Sequence, residues 1–442
     1  MSTDEARYRL GPRERRGLVA GWRPGQVLCA AIGCMGAGVV VSASTRAVAL
    51  LAAVVCIALG IMAGTIPLRG RTVDEWAPSL WRFARARGAT TLLDLELLET
   101  GVSKSRTEVA CLVIGGAPTV VLRLPCQGVS LLEAGERDRL VAGLTGALSL
   151  LAREGSGVAR VSISTANTLD DGAALRRDLR RRGRGHLDPA ASSYRQLLAG
   201  VRLDLPGSVV DLALRGRAER SLTPQAVENL LDEAHQVLAA LEDAGHPRGR
   251  LLTVDELVGD LQARVGTDLR HEDRRISLEA RLCFDQVVLG ETRARAWWVA
   301  EWTRASVTAE LLSPIILGTV PVALTVVFEP VAPSAALRRA RVARTKGAAD
   351  DEVRRRGGFL ADRRRQRESE HLEQREAELI DGHGSLRFSG FLCVMAEGED
   401  ALSERSAAVE LAAAQAGLRL QRCQGDHGGG LVASLPLTTG LR

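Results

Sequence analysis

The lysines answer one chemical question at once. A phosphate cradle of the Walker type ends in Gly-Lys-Ser or Gly-Lys-Thr, because backbone N–H groups and a lysine must meet the β- and γ-phosphates. Lys104 and Lys346 are the only lysines among the 58 basic residues, and they follow Ser103 and Thr345, so neither closes such a loop. Metal chemistry needs clustered ligands. The histidines, His186, His235, His246, His271, His371, His383 and His427, are scattered, with no HExxH. The eight cysteines, Cys29, Cys34, Cys56, Cys111, Cys126, Cys283, Cys393 and Cys423, include no CxxC pair. Asp381 with His383 and Asp426 with His427 are the nearest ligand pairs, both beside glycines where Asp and His are common turn residues. No GxSxG occurs, and no Cys or Ser stands beside a His and a carboxylate. The expectation is a chain with no catalytic residues, no cofactor and no metal; an enzyme of unfamiliar design is the alternative. The cysteines read as small buried hydrophobes in a reducing compartment.

Three of those cysteines lie in an apolar block that would position everything after it. Residues 27–66 carry a single charge, Arg46, between two runs of about 20 residues, the length a helix needs to cross the hydrocarbon core. The expectation is a two-helix transmembrane hairpin with a turn near Ser42 to Arg46. Gly33, Gly60 and Gly64 would let the two backbones approach closely. Basic residues crowd both flanks, including Arg15, Arg16 and Arg23 before the hairpin and Arg69 and Arg71 after it. Trp22, Trp76 and Trp81 stand at interfacial depth. Positive charge prefers the cytoplasmic side, so the reading is a plasma-membrane protein with both termini cytoplasmic. A cleaved signal peptide competes, on basic residues, an apolar run and Val41-Ser42-Ala43. It fits less well, because a second apolar run follows where a secreted protein would turn polar.

The expected division is a basic N-terminus (1–26), the hairpin (27–66), a basic juxtamembrane linker (67–89), a first α+β unit (90–200), a small α+β unit (201–270) and a third unit (271–442). Glu108 to Ile114 and Pro118 to Leu124 read as a hairpin split by Gly115-Gly116, Leu131 to Arg153 as a helix, and Val158 to Ser164 as a strand. Asp170 to Arg182 reads as a charged helix, and Val201 to Leu214 as strand interrupted at Pro206-Gly207. Helices follow over Pro224 to Ala244, capped by Ser221 or Thr223, and Thr253 to Val265. In the third unit, strands over Ala296–Thr303, Val320–Phe328, Leu386–Ala396, Leu418–Gln424 and Leu431–Leu437 alternate with helices over Thr308–Leu317 and Asp400–Ala416. The fold class expected is α+β: the transmembrane hairpin followed by ferredoxin-like α/β sandwich units, with a charged helical insertion over 335–382, bent at Gly357-Gly358.

That insertion holds Arg354–Arg356 and Arg363–Arg365, the residues a nucleic-acid clamp would use. Glu368, Glu370, Glu373, Glu376 and Glu378 cancel much of their field. A net charge of +5 and two Tyr, six Phe and six Trp in all give little support to a stacking platform. Direct nucleic-acid contact stays open at this level.

Four runs carry a resemblance: RYRLGPRERRGLVAGWRPGQ at 7–26, GRTVDEWAPSLWR at 70–82, WWVAEWTR at 297–304, and Arg387 to Cys423 closing with LVASLPLTTGL. They resemble a family of actinobacterial integral membrane proteins encoded in conjugative elements. The hairpin is similar to PrgI-like two-span subunits, and the soluble part to the N-terminal region of type IV secretion ATPases without their motor. The resemblance implies a non-enzymatic scaffold subunit of a type IV secretion apparatus, with membrane lipid, a separate secretion ATPase and other channel subunits as partners, and room for a homo-oligomer. Residues 201–269 are more faintly similar to the type VII component EccE, which makes a type VII membrane scaffold the alternative.

Overall fold

The computed structural model describes residues 24–43, 47–66, 72–86, 88–101, 108–125, 132–170, 205–218, 222–267, 269–272, 274–303, 307–308, 310–356 and 384–440. The apolar block forms two helices, α1 (Pro24–Ala43) and α2 (Ala47–Thr65), and a third, α3 (Val73–Ala86), leads into the body. Of the first two, only α1 has the length and hydropathy of a membrane-crossing helix, over Gly25–Ser42. The apolar part of α2, Ala49–Thr65, is shorter, so the expectation of two equivalent spans is not met.

The body corrects the expected ferredoxin-like sandwiches: it is a closed antiparallel barrel of ten strands. Its strands are β1 (Gly88–Gly101), β2 (Glu108–Ile114), β3 (Ala117–Leu124), β4 (Val158–Asp170), β5 (Leu205–Gly216), β8 (Arg275–Leu282), β9 (Val287–Leu289), β10 (Thr292–Glu301), β11 (Ala323–Val331) and β12 (Ser385–Glu397). They run in the order β1-β2-β3-β5-β4-β11-β12-β10-β9-β8, and β8 pairs with β1 to close the ring. Three short strands lie off it: β6 (Arg250–Leu251) on β3, β7 (Arg270–Glu272) on β8 and β13 (Arg419–Arg422) on β10. A ferredoxin-like sheet keeps its edges, and here every long strand has two neighbours, which removes the edges that invite association. Segments 90–200, 201–270 and 271–442 all contribute to the one sheet.

The ring is built twice. Apart from α8 (Pro333–Arg356) between β11 and β12, the order β1-β2-β3-α4-β4-β5-α5-β6-α6 recurs as β8-β9-β10-α7-β11-β12-α9-β13-α10, with α4 (Ala134–Leu150), α5 (Pro224–Asp243), α6 (Val254–Val265), α7 (Ser313–Ile316), α9 (Glu399–Gln415) and α10 (His427–Ala433); residues 171–204, between β4 and β5, lie outside the described residues. Pairing recurs as well: β3 takes β5 and β6 as β10 takes β12 and β13. The tight turns match, with Gly115 at φ 56° and Gly290 at φ 60°, the left-handed conformation that a two-residue hairpin needs. Buried positions repeat at the same spacing in the outer helices, Leu230, Ala234, Val237 and Leu241 on α5 and Leu402, Ser406, Val409 and Ala413 on α9. Ser164 pairs with Thr325, and Leu93 with Leu278. Each is opposite its own counterpart, so a pseudo-two-fold axis crosses the barrel through these pairs.

A ring of ten strands is wider than its own side chains can fill. Helices α6 and α10 occupy the lumen, where Leu257, Leu261, Val265 and Leu431 pack with Leu93, Leu95, Leu112, Ile276 and Leu278. Small inward residues, Ala110, Ala213, Ala294, Ala296 and Ala323, make room for them. Outside, α4 and α5 cover one half through Leu148, Leu151, Val237 and Leu241, and α9 covers the other through Leu402 and Val409. Thr223 caps α5, accepting from Ala226 N with Pro224 in the first turn. Thr253 and Glu256 form a capping box on α6, which ends at Gly266 with φ 67°.

Two local expectations fail. Leu431 to Leu437 forms not a strand but the end of α10 followed by a turn and bends, because a short apolar run between glycines carries no helix-or-strand signal, and the lumen selects the helix. Strand β5 runs unbroken through Pro206-Gly207. After β11, α8 (Pro333–Arg356) begins the charged insertion; its continuation, the bend at Gly357-Gly358 and the Asp170–Arg182 helix lie outside the described residues.

Candidate functional site

Helices α1 and α2 meet through glycine. A Cβ on Gly33 would stand 2.8 Å from Cys56 O and 3.0 Å from Gly60 Cα, and one on Gly60 would stand 2.8 Å from Cys29 O. Gly64 sits over the start of α1, where a Cβ would come within 3.2 Å of Gln26 O. Gln26 Nε2 donates to Gly64 O at 2.8 Å, which ties the ends of the two helices. Away from this seam the helices present Leu28, Ile32, Met35, Val39, Leu50, Leu51, Val54, Leu59 and Met62 outward. An apolar surface of that extent on a monomer marks a membrane or protein contact.

Helix α3 joins the pair to the barrel. The Trp76 ring stacks on Phe284 at a centroid distance of 5.8 Å, and Phe83 meets the same ring edge-on at 5.7 Å. Arg82 Nη1 pairs with Asp426 Oδ2 at 2.7 Å, and Ser79, one turn earlier on α3, is buried. Trp81 points away from the barrel, 65% exposed, with the Arg85 guanidinium 5.7 Å from its ring centre. Thus Trp76, expected at a membrane interface, is a docking residue. Arg15, Arg16, Trp22, Arg23, Arg69 and Arg71 lie outside the described residues.

Below α3 a hollow of about 40 Å³ is lined by Arg82, Phe83, Cys283, Asp426 and His427. That volume has room for a water or two and is far below that of a small-molecule pocket. In the hollow Asp426 pairs with Arg82, and His427 Nδ1 accepts from the Ala296 N–H at 3.1 Å. Among the described residues no three His, Cys, Asp or Glu side chains group as metal ligands. Burial pushes the Cys111 thiol up to about 11 and the Cys393 thiol up to about 12, so both are thiols rather than thiolates at neutral pH.

A second cluster lies inside the ring. Arg264 on α6 pairs with Asp211 and, at 2.6 Å, with Asp260. Arg123 Nε donates to Asp211 at 2.9 Å and its Nη2 to Asp260 at 2.5 Å. Arg264 Nη1 donates to Ser164 Oγ at 2.9 Å, and Thr325 Oγ1 lies 2.9 Å from Ser164 Oγ and 2.7 Å from Ser434 O. Burial works against the Arg123 charge, and hydrogen bonds and the field of Asp211 and Asp260 outweigh it. Two carboxylates and two guanidinium groups balance, so the network binds lumen helix, both halves and C-terminal tail without an unpaired charge. In the second half Trp298 and Phe391 stand at the counterparts of Arg123 and Asp211, giving a cluster on one side of the axis and an aromatic core on the other.

The sequence offered one signal for this cluster, Asp260 and Arg264 at helical i,i+4 spacing, and a second in Asp211 within the apolar run Val209 to Leu214. Nothing marked Phe284, Phe83 or the Arg82–Asp426 pair, which join residues 344 apart. No protein-family model matches the chain, and no curated protein matches it.

Proposed function

We propose that this chain is a non-enzymatic scaffold subunit of a type IV secretion (conjugative DNA-transfer) apparatus, a body held at the plasma membrane on which a separate secretion ATPase docks. The observation that carries the reading is the continuous path from an apolar helix pair, through α3 and Phe284, into a closed barrel whose lumen is filled by α6 and α10. Such a body offers its outer surfaces for docking. The conjugative-element resemblance of the four sequence runs supplies the kind of machine.

In this reading α1 crosses the bilayer, α2 packs on it through Gly33 and Gly60, and the barrel lies on the cytoplasmic side. Affinity isolation of the full chain in mild detergent tests the assignment. Co-isolation of a conjugation ATPase is expected; recovery instead of an FtsK-like motor with type VII membrane subunits would replace it.

A further inference from the structure

We infer that α3 is an interfacial strap whose outer face lies on anionic lipid headgroups and fixes the barrel's stance on the bilayer. The inference rests on the membrane reading above and adds a specific lipid contact to it.

The helix is amphipathic on two sides. One side, with Trp76, Ser79 and Phe83, is spent on the barrel. The adjacent side leaves Val73 37%, Leu80 47% and Trp81 65% exposed, positions that helical spacing puts on one stripe. The pseudo-two-fold gives this helix no counterpart: among the described residues the segment before β8, the counterpart of β1, holds only the three-residue β7. An element added at one end alone, bearing an unspent apolar stripe, calls for an occupant specific to that end.

Continuity and charge identify the occupant. Helix α3 packs against both α1 and α2, and Asp74 lies over Gly25 at the start of α1, so the stripe adjoins the helix ends where the hydrocarbon region stops. Arg85 flanks the stripe and lies over Trp81. In sequence, residues 69–87 hold Arg69, Arg71, Arg85 and Arg87, besides the Arg82 that pairs with Asp426, against Asp74 and Glu75, a positive excess. An indole with an arginine beside an apolar stripe suits the boundary between acyl chain and anionic headgroup, and a protein groove would not call for the positive excess.

The test is hydrogen–deuterium exchange on the full chain in nanodiscs of phosphatidylcholine alone and of phosphatidylcholine with phosphatidylglycerol, compared with detergent. The expected result is exchange over 73–86 slowed about tenfold in the anionic discs relative to detergent and less in the neutral ones. Arg85→Glu should remove the difference between the discs, and Leu80→Gln with Trp81→Gln the protection itself, while the barrel peptides are unchanged. Equal exchange over 73–86 in all three environments would overturn the inference and point to a protein occupant. Loss of disc association altogether would instead be failure of the membrane reading.

Discussion

Ser164 and Thr325 stand opposite one another on β4 and β11 with their hydroxyl oxygens 2.9 Å apart, and by strand pairing each is the other's counterpart. The seam between the two halves is therefore polar at its centre, beside the buried Arg123–Asp211–Arg264–Asp260 cluster. Thr325 Oγ1 also reaches Ser434 O at 2.7 Å, so this spot holds the C-terminal tail inside the ring. Thr325→Val should remove that donor from a buried carbonyl at a cost of about 1–3 kcal/mol. Urea unfolding measures the loss, and earlier protease cleavage after Ser434 should accompany it.

Arg264 links both carboxylates of the buried cluster, with its side chain 1% exposed. Arg264→Met should destabilise the barrel by roughly 3–5 kcal/mol, because Asp211 and Asp260 are left with one guanidinium between them. An unchanged urea midpoint would mean that the cluster contributes nothing to the closed ring.

The helix pair gives a controlled contrast. Gly33→Val places a Cβ against Cys56 O and Gly60, whereas Gly38 has nothing within 4 Å of its Cβ position. Gly33→Val should lower the thermal stability of the pair in detergent and Gly38→Val should leave it within experimental error, read from the distance between spin labels on α1 and α2.

The acid limb of stability should report Glu256. Its hydrogen bond from Arg250, with lesser help from Thr253, holds the carboxyl at about 2 against an ordinary 4.5. A depressed folded pKa stabilises the fold above the unfolded value, so the contribution is complete above about pH 4.5 and is lost as pH falls towards 2. Glu256→Gln should flatten that part of the pH profile of α6 amide exchange, and Thr253→Ala should cost about 1 kcal/mol at any pH.

Much of the local structure was legible because it is local. The Gly115-Gly116 turn and the Thr223 cap with Pro224 each lie within a few residues and mark their elements at the right place, and the helix read over Thr253 to Val265 matches α6. The closure of the ring was not legible, since β1 against β8 and β4 against β11 pair residues far apart in the chain through side chains as ordinary as Leu93 and Ile163. The duplication left little trace in sequence: Leu122 and Trp297 share a place, as do Asp211 and Phe391. What is kept is burial and direction, not residue type. Trp76 and Trp81 were indistinguishable as interfacial tryptophans until Phe284 claimed one of them.

Carbonate extraction of membranes bearing the full chain, beside a chain beginning at Gly88, tests the central claim most directly. A barrel tethered by its helix pair predicts that the full chain stays in the pellet at pH 11 and that the shortened chain is released while keeping its native circular dichroism. Release of the full chain under the same conditions would contradict it.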